Sequence, residues 1–92
     1  MVVVRGGWLG GPGIEKTAPR IVIARGSDCG GTHGTTGRTL NLSGVAINEV
    51  IYVQGAYLHD PDYSKSTVGG VSRITFTNKV YDPFYIDIYY WV

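Results

Sequence analysis

Residues 84–92 read Phe-Tyr-Ile-Asp-Ile-Tyr-Tyr-Trp-Val, and no other stretch restricts the fold as tightly. In an extended strand this alternation puts Phe84, Ile86, Ile88, Tyr90 and Val92 on one face. Tyr85, Asp87, Tyr89 and Trp91 then share the other face. The first set is core. The second carries three aromatics around one acid, too apolar for a face that is merely solvated.

The same grammar runs back to Arg38. Leu40 and Leu42 alternate with Thr39, Asn41 and Ser43, which predicts a strand with one buried side. Val45 and Ile47 lead toward a turn at Asn48. Val50–Val53 is apolar on both faces and reads as a central strand, closed by a tight turn or bulge at Gln54-Gly55. Ala56-Tyr57-Leu58 resumes the pairing, and His59-Asp60-Pro61-Asp62 is a turn in which proline sets φ. Tyr63 to Gly70 is polar and reads as a loop or hairpin turn. Val71 to Asn78 alternates, Ile74 and Phe76 against Arg73, Thr75 and Thr77. Asp82-Pro83 breaks the chain before the last strand.

The N-terminal half is looser. Eleven of the 14 glycines fall within the first 44 residues. Gly6, Gly7, Gly10, Gly11, Pro12 and Gly13 forbid a regular helix, so residues 1–18 are expected to form an extended arm. Val2, Val3, Val4, Trp8 and Leu9 in that arm need a surface to bury against, on their own domain or on a neighbouring subunit. Arg20–Arg25 is a compact strand, β-branched at its centre, suited to the interior of a sheet. Gly26–Gly37 is a twelve-residue glycine and hydroxyl loop, of a length usually functional or mobile.

No stretch holds a helical period over ten residues, and no repeat of 20–50 residues is present. The expected fold is all-β: a small antiparallel β-sandwich or barrel of six to seven short strands, residues 19–92, preceded by the Gly-rich arm. Ninety-two residues make one domain with a small core, and apolar residues at 43% allow one. Charged residues are only 16%, below the usual quarter, which suits a surface covered by further copies of the chain. A net charge of +1 gives no electrostatic case for nucleic acid or an anionic membrane. One cysteine excludes an internal disulfide and a cysteine-rich zinc site. The N-terminus has no basic n-region and no long apolar core, so neither a signal peptide nor a membrane span is expected.

Chemistry finds few footholds. Gly37-Arg38-Thr39 imitates the end of a phosphate-binding loop, but Thr32 stands where its first glycine would be, and Gly11-Pro-Gly-Ile-Glu-Lys lacks the third glycine of a dinucleotide fingerprint. Cys29 and His33 could pair as nucleophile and base, although a glycine-rich loop does not pre-organise them. Cys29, His33, His59, Asp60 and Asp62 are the available metal-ligand types, and sequence does not make them converge. Asp60 and Asp62 imitate the start of a calcium loop, with Pro61 between them and the other oxygen ligands missing. Tyr85, Tyr89 and Trp91 could stack sugar rings, seal a subunit contact or face a second layer of the sandwich. No catalytic residue, metal or cofactor is expected.

The succession Val50-Ile-Tyr-Val-Gln-Gly-Ala-Tyr-Leu58, Asp62-Tyr63, Ile74-Thr-Phe-Thr-Asn78 and Tyr85-Ile-Asp-Ile-Tyr-Tyr-Trp91 resembles a β module of tailed-bacteriophage structural proteins. In that module a strand ending in an Asn-Gly-type turn is followed by a short strand, an Asp-Tyr pair, a Thr-Ile-Thr-Phe-type strand and a final Asp-x-Ile-x-Ile-x-Tyr strand. Gln54-Gly55 replaces the commoner Asn-Gly, and Asp82-Pro83-Phe84 stands where Gly-Asp is usual. The likeness covers about 55 residues and leaves the first 37 unexplained. It implies a non-enzymatic virion component, assembled in the host cytoplasm, commonly trimeric. A capsid decoration or cement protein bound to the major capsid protein lattice is the first expectation, because the chain is short and carries an apolar arm. A tail-fibre or tail-adaptor module is the alternative, and a carbohydrate-binding module a further one. The expected protein contacts are Val2, Val3, Val4, Trp8 and Leu9 in the arm, with Tyr89 and Trp91 on the aromatic face.

Overall fold

A computed structural model describes residues 18–92. Seven strands are described: β1 (Arg20–Arg25), β2 (Thr39–Asn41), β3 (Ile47–Val53), β4 (Ala56–Tyr57), β5 (Tyr63–Val68), β6 (Val71–Phe76) and β7 (Tyr85–Trp91). They form two antiparallel sheets, β1-β7-β3-β4 and β2-β6-β5, packed as a small β-sandwich. Among the described residues no helix is long and apolar enough to cross a membrane. The expected fold class is therefore observed.

The core comes from one side of each alternating strand. Ile86, Ile88 and Tyr90 of β7, Ile51 of β3 and Ala24 of β1 meet Ile74 and Phe76 of β6, with Leu42, Ala46 and Val80 from the connections. Tyr90 reaches the rim of this core, where its hydroxyl accepts the Ser43 N–H at 3.0 Å and donates to the Ser43 carbonyl at 3.2 Å. Ser72 is the polar exception in the alternation of β6. It is buried, and its Oγ accepts the Ala46 N–H at 2.8 Å, so the hydroxyl serves a backbone donor that would otherwise be orphaned.

Gln54 and Gly55 have φ of 55° and 79°, the paired positive values of a type I′ hairpin turn. A two-residue turn sets the register, placing Val53 opposite Ala56 and Tyr52 opposite Tyr57. Three local expectations are corrected. Asn48 does not end a strand: with φ of 54° it makes a bulge inside β3, where the register against β7 shifts between Ile47 and Val50. Tyr63–Val68 is not a loop but the edge strand β5, in full register with β6 through the Gly69-Gly70 turn. Its polar composition reflects exposure at an edge.

Among the described residues Arg20–Arg25 is likewise an edge strand rather than an interior one, pairing only with β7. The Gly26–Gly37 loop is ordered by one residue beyond its end. Arg38 is buried at 3% exposure, and its guanidinium donates to Gly30 O, Val80 O and Cys29 O at 3.0–3.1 Å and to Asp82 Oδ1 at 2.9 Å. A planar cation with five donors is suited to gathering several carbonyls at one point.

Candidate functional site

Because β7 buries Ile86, Ile88 and Tyr90 against the second sheet, its other residues lie on the outer face of the first sheet. The register assembles that face from four strands. Asp87 stands between Tyr52 and Ile23, with Tyr57 beyond Tyr52; Tyr89 stands between Val50 and Ile21. Trp91 is opposite Ile47, and Tyr85 is opposite Arg25. Residues directly opposite across an antiparallel pair share a face, so this is one contiguous aromatic and aliphatic surface.

Much of it is open. Ile23 is 80% exposed, Tyr85 55% and Ile47 52%; Ile21 and Tyr57 are about half exposed, and Tyr52, Tyr89 and Trp91 are half-buried among their neighbours. Only Arg25 and Asp87 bring charge to these positions, and the Arg25 guanidinium lies 4.3 Å over the Tyr85 ring. Tyr52 meets Tyr89 edge-to-face, with centroids 6.5 Å apart and planes at 88°. Tyr57 packs on Tyr52 at 5.8 Å and on His59 at 4.6 Å, the latter pair at 87°. The three tyrosine rings are thus tilted or perpendicular to one another. Rings at such angles do not form one coplanar platform for stacked sugars, whereas exposed aromatic surfaces are common at protein contacts.

Of the expected contact residues, Tyr89 and Trp91 share this face, and Tyr85 joins them. Val2, Val3, Val4, Trp8 and Leu9 lie outside the described residues. The aromatic face is not a layer between the two sheets, which meet on the opposite side of β7. Sequence reasoning missed Ile21, Ile23, Tyr52 and Tyr57 as members. The two-residue Gln54-Gly55 turn could have revealed the Tyr52–Tyr57 pair, since its length dictates who stands opposite whom.

The other candidates do not assemble. Cys29 is buried, and burial pushes its thiol above the ordinary value of 9.0 despite the opposing pull of Arg38. That favours an inert thiol over a nucleophilic thiolate. His33 Nδ1 accepts the Asp82 N–H at 2.9 Å, and the ring packs edge-on against Tyr81. Arg38 is committed to its carbonyls and to Asp82, whose carboxyl it holds below the ordinary 3.8 with help from His33. It is a strut of the loop, not a phosphate ligand. Asp62 closes its own turn, Oδ2 accepting the His59 N–H at 3.0 Å. Among the described residues no three His, Cys, Asp or Glu side chains group closely enough to hold a metal.

A polar clamp ties the two sheets elsewhere. Glu49, beside the β3 bulge, accepts Lys65 Nζ at 2.7 Å and the Tyr63 hydroxyl at 2.9 Å, both from β5. Lys65 also donates to Ala46 O at 2.9 Å. Glu49, Tyr63 and Lys65 are thus bonded to one another and to the backbone, a bracing arrangement between the sheets.

No protein-family model matches the chain, and neither a curated protein nor a solved structure matches it.

Proposed function

We propose that the chain is a non-enzymatic structural protein of a tailed-bacteriophage virion, a decoration or cement protein that binds the major capsid protein lattice and associates with further copies of itself. The observation that carries this reading is the outer face of the first sheet. A surface of Ile21, Ile23, Ile47, Tyr57 and Tyr85 around Tyr89 and Trp91, nearly without charge, is costly to leave in water and suits a permanent protein contact. The strand order that resembles the phage β module supplies the biological setting. The buried-apolar contribution is about 25 cal/mol per Å² before the costs of association, so a lattice contact gains most where several such rings are covered together.

The tail-fibre or adaptor alternative uses the same face and differs in location and copy number. The carbohydrate-binding alternative is weaker, because the mutually tilted rings of Tyr52, Tyr57 and Tyr89 form no coplanar platform. Quantitative mass spectrometry of purified particles tests the proposal. Copies comparable to the major shell protein are expected. A few copies, matching tail symmetry, would move the chain to the fibre or adaptor. Absence from particles would end the virion reading.

A further inference from the structure

Among the described residues β1 is the outermost strand of its sheet, and its other side has an unusual makeup. Its six residues pair with β7 without a bulge, and the pairing continues to Gly26, whose N–H donates to Phe84 O at 2.8 Å. Backbone groups alternate in direction along a strand, so Arg20, Val22 and Ala24 turn theirs toward β7 with Gly26. Ile21 and Ile23 turn theirs outward. Arg25 also turns outward, but its N–H is held by Asp28 Oδ2 at 2.8 Å.

The two residues that present backbone donors and acceptors at the edge are thus the two exposed isoleucines. Open edges are ordinarily protected by proline, bulges or central charges, and β1 has none of these between its ends. Its terminal arginines are drawn aside, Arg20 to Ser43 O at 2.8 Å and Arg25 onto the Tyr85 ring. Such an edge is a template for an added strand.

The sequence contains a segment of matching composition. Val2-Val3-Val4 is β-branched and apolar, Arg5 follows it, and fourteen residues from Gly6 to Pro19 separate the segment from β1. A hairpin folded directly back on β1 would place Gly10–Gly13 at the edge, residues without side chains and a proline without a donor. Val2–Val4 could reach their own β1 only across a fourteen-residue connection, a length uncommon for loops in compact domains. A glycine-rich tether of this length has a typical span of about 20 Å, enough to cross to an adjoining subunit.

We propose that the open edge of β1 takes residues Val2–Arg5 of a second copy as an added strand, through the backbone groups of Ile21 and Ile23. Trp8 and Leu9 follow within a few residues and so fall over the Tyr89–Trp91 face of the same neighbour. The inference rests on the self-association part of the proposed function and not on its shell-binding part.

The test uses the full-length chain in purified form. Val3→Cys on one preparation is mixed with Ile21→Cys or Ile23→Cys on another, and both substitutions are also placed together on one chain. Native Cys29 is buried and does not compete. Under mild oxidation, disulfide-linked heterodimers in the mixtures are expected, with chain-to-chain linkage in the double variants. A bond closed within one chain, or no bond at any of the pairs, would overturn the proposal. Independently, Ile23→Lys at this exposed site should leave the circular dichroism unchanged and raise the concentration for half-association at least about tenfold. Unchanged association would overturn it as well. Particles are not involved, so a chain absent from virions but cross-linked in solution loses the shell reading alone. A chain abundant in virions but never cross-linked loses this contact alone.

Discussion

Arg38 shows how one residue can organise a region that its surroundings make look unstructured. Gly30, Cys29 and Val80 offer carbonyls to its guanidinium, and Asp82 supplies the carboxylate. The cation itself is buried while its carboxylate partner stays about half exposed. The carboxylate can therefore fall back on water if the arginine is lost, whereas the Cys29 carbonyl loses its guanidinium donor inside the fold and Val80 O keeps only the Gly34 N–H. Replacing Arg38 by Met keeps the apolar stem and removes all five donors. Unfolding by urea should show a loss of about 3 kcal/mol, the usual scale for breaking a buried charged network. Asp82→Asn removes only the charge partner and should cost clearly less, because that carboxylate is screened by water. Equal losses from the two substitutions would mean that the ion pair, and not the carbonyl cluster, is what the arginine contributes.

At the level of elements, turns explain both the successes and the failures of reading this chain. Gly69 and Gly70, between β5 and β6, have φ of 62° and 83°, again the type I′ pattern. A Cβ at Gly69 would meet nothing within 4 Å. Gly69→Asn should therefore stabilise the domain by about 0.5 kcal/mol, because asparagine accepts the left-handed region and restricts the unfolded chain. Thermal unfolding of the variant checks this, and a lowered midpoint would show that the hairpin needs two glycines. Strands with one buried face, β6 and β7, were legible in the sequence because burial writes a period of two into them. β5 was not, since Tyr-Ser-Lys-Ser-Thr-Val is exposed along nearly its whole length and carries no such period. β1 was legible as a strand but not as an edge. Its apolar centre looks the same whether a neighbour covers it or not, and only the strand order distinguishes the cases. Of the candidate site, the Tyr85–Tyr89–Trp91 stripe was visible because it lies on one strand. Tyr52, Tyr57, Ile21 and Ile23 join it through pairing across strands, information held in register and not in local spacing.

Over the whole molecule, two polar ties brace a core with little charge around it, and they set the pH range in which the sandwich is most stable. Partial burial alone would raise the Glu49 carboxyl, but the bonds from Lys65, from backbone N–H and from Tyr63 outweigh it and hold the group below the ordinary 4.5. Asp82 is likewise held below its ordinary 3.8, by Arg38 first. A carboxyl whose pKa falls on folding contributes stability above its unfolded value, and that contribution disappears as pH drops through the folded value. Tyr63 behaves in the opposite sense. Burial first, and then its bond to Glu49, push its hydroxyl from 10.0 up to about 12. The protonated phenol is the form favoured by folding, so its contribution is complete below pH 10 and is lost as pH climbs toward 12. Urea midpoints should therefore form a plateau through neutral pH, with an acid limb beginning near about pH 4 to 5 and an alkaline limb above about pH 10. Glu49→Gln isolates the clamp. It keeps one acceptor oxygen for Lys65, sets an amide NH2 against the Tyr63 hydroxyl and removes the titrating charge, so the acid limb should shrink to the share of Asp82. The alkaline limb should start earlier, because Tyr63 no longer faces an anion that disfavours its ionisation. If Glu49→Gln reproduced the full acid limb of the parent chain, the link between the sheets would not lie in this ion cluster, and Asp82 with Arg38 would carry the acid sensitivity.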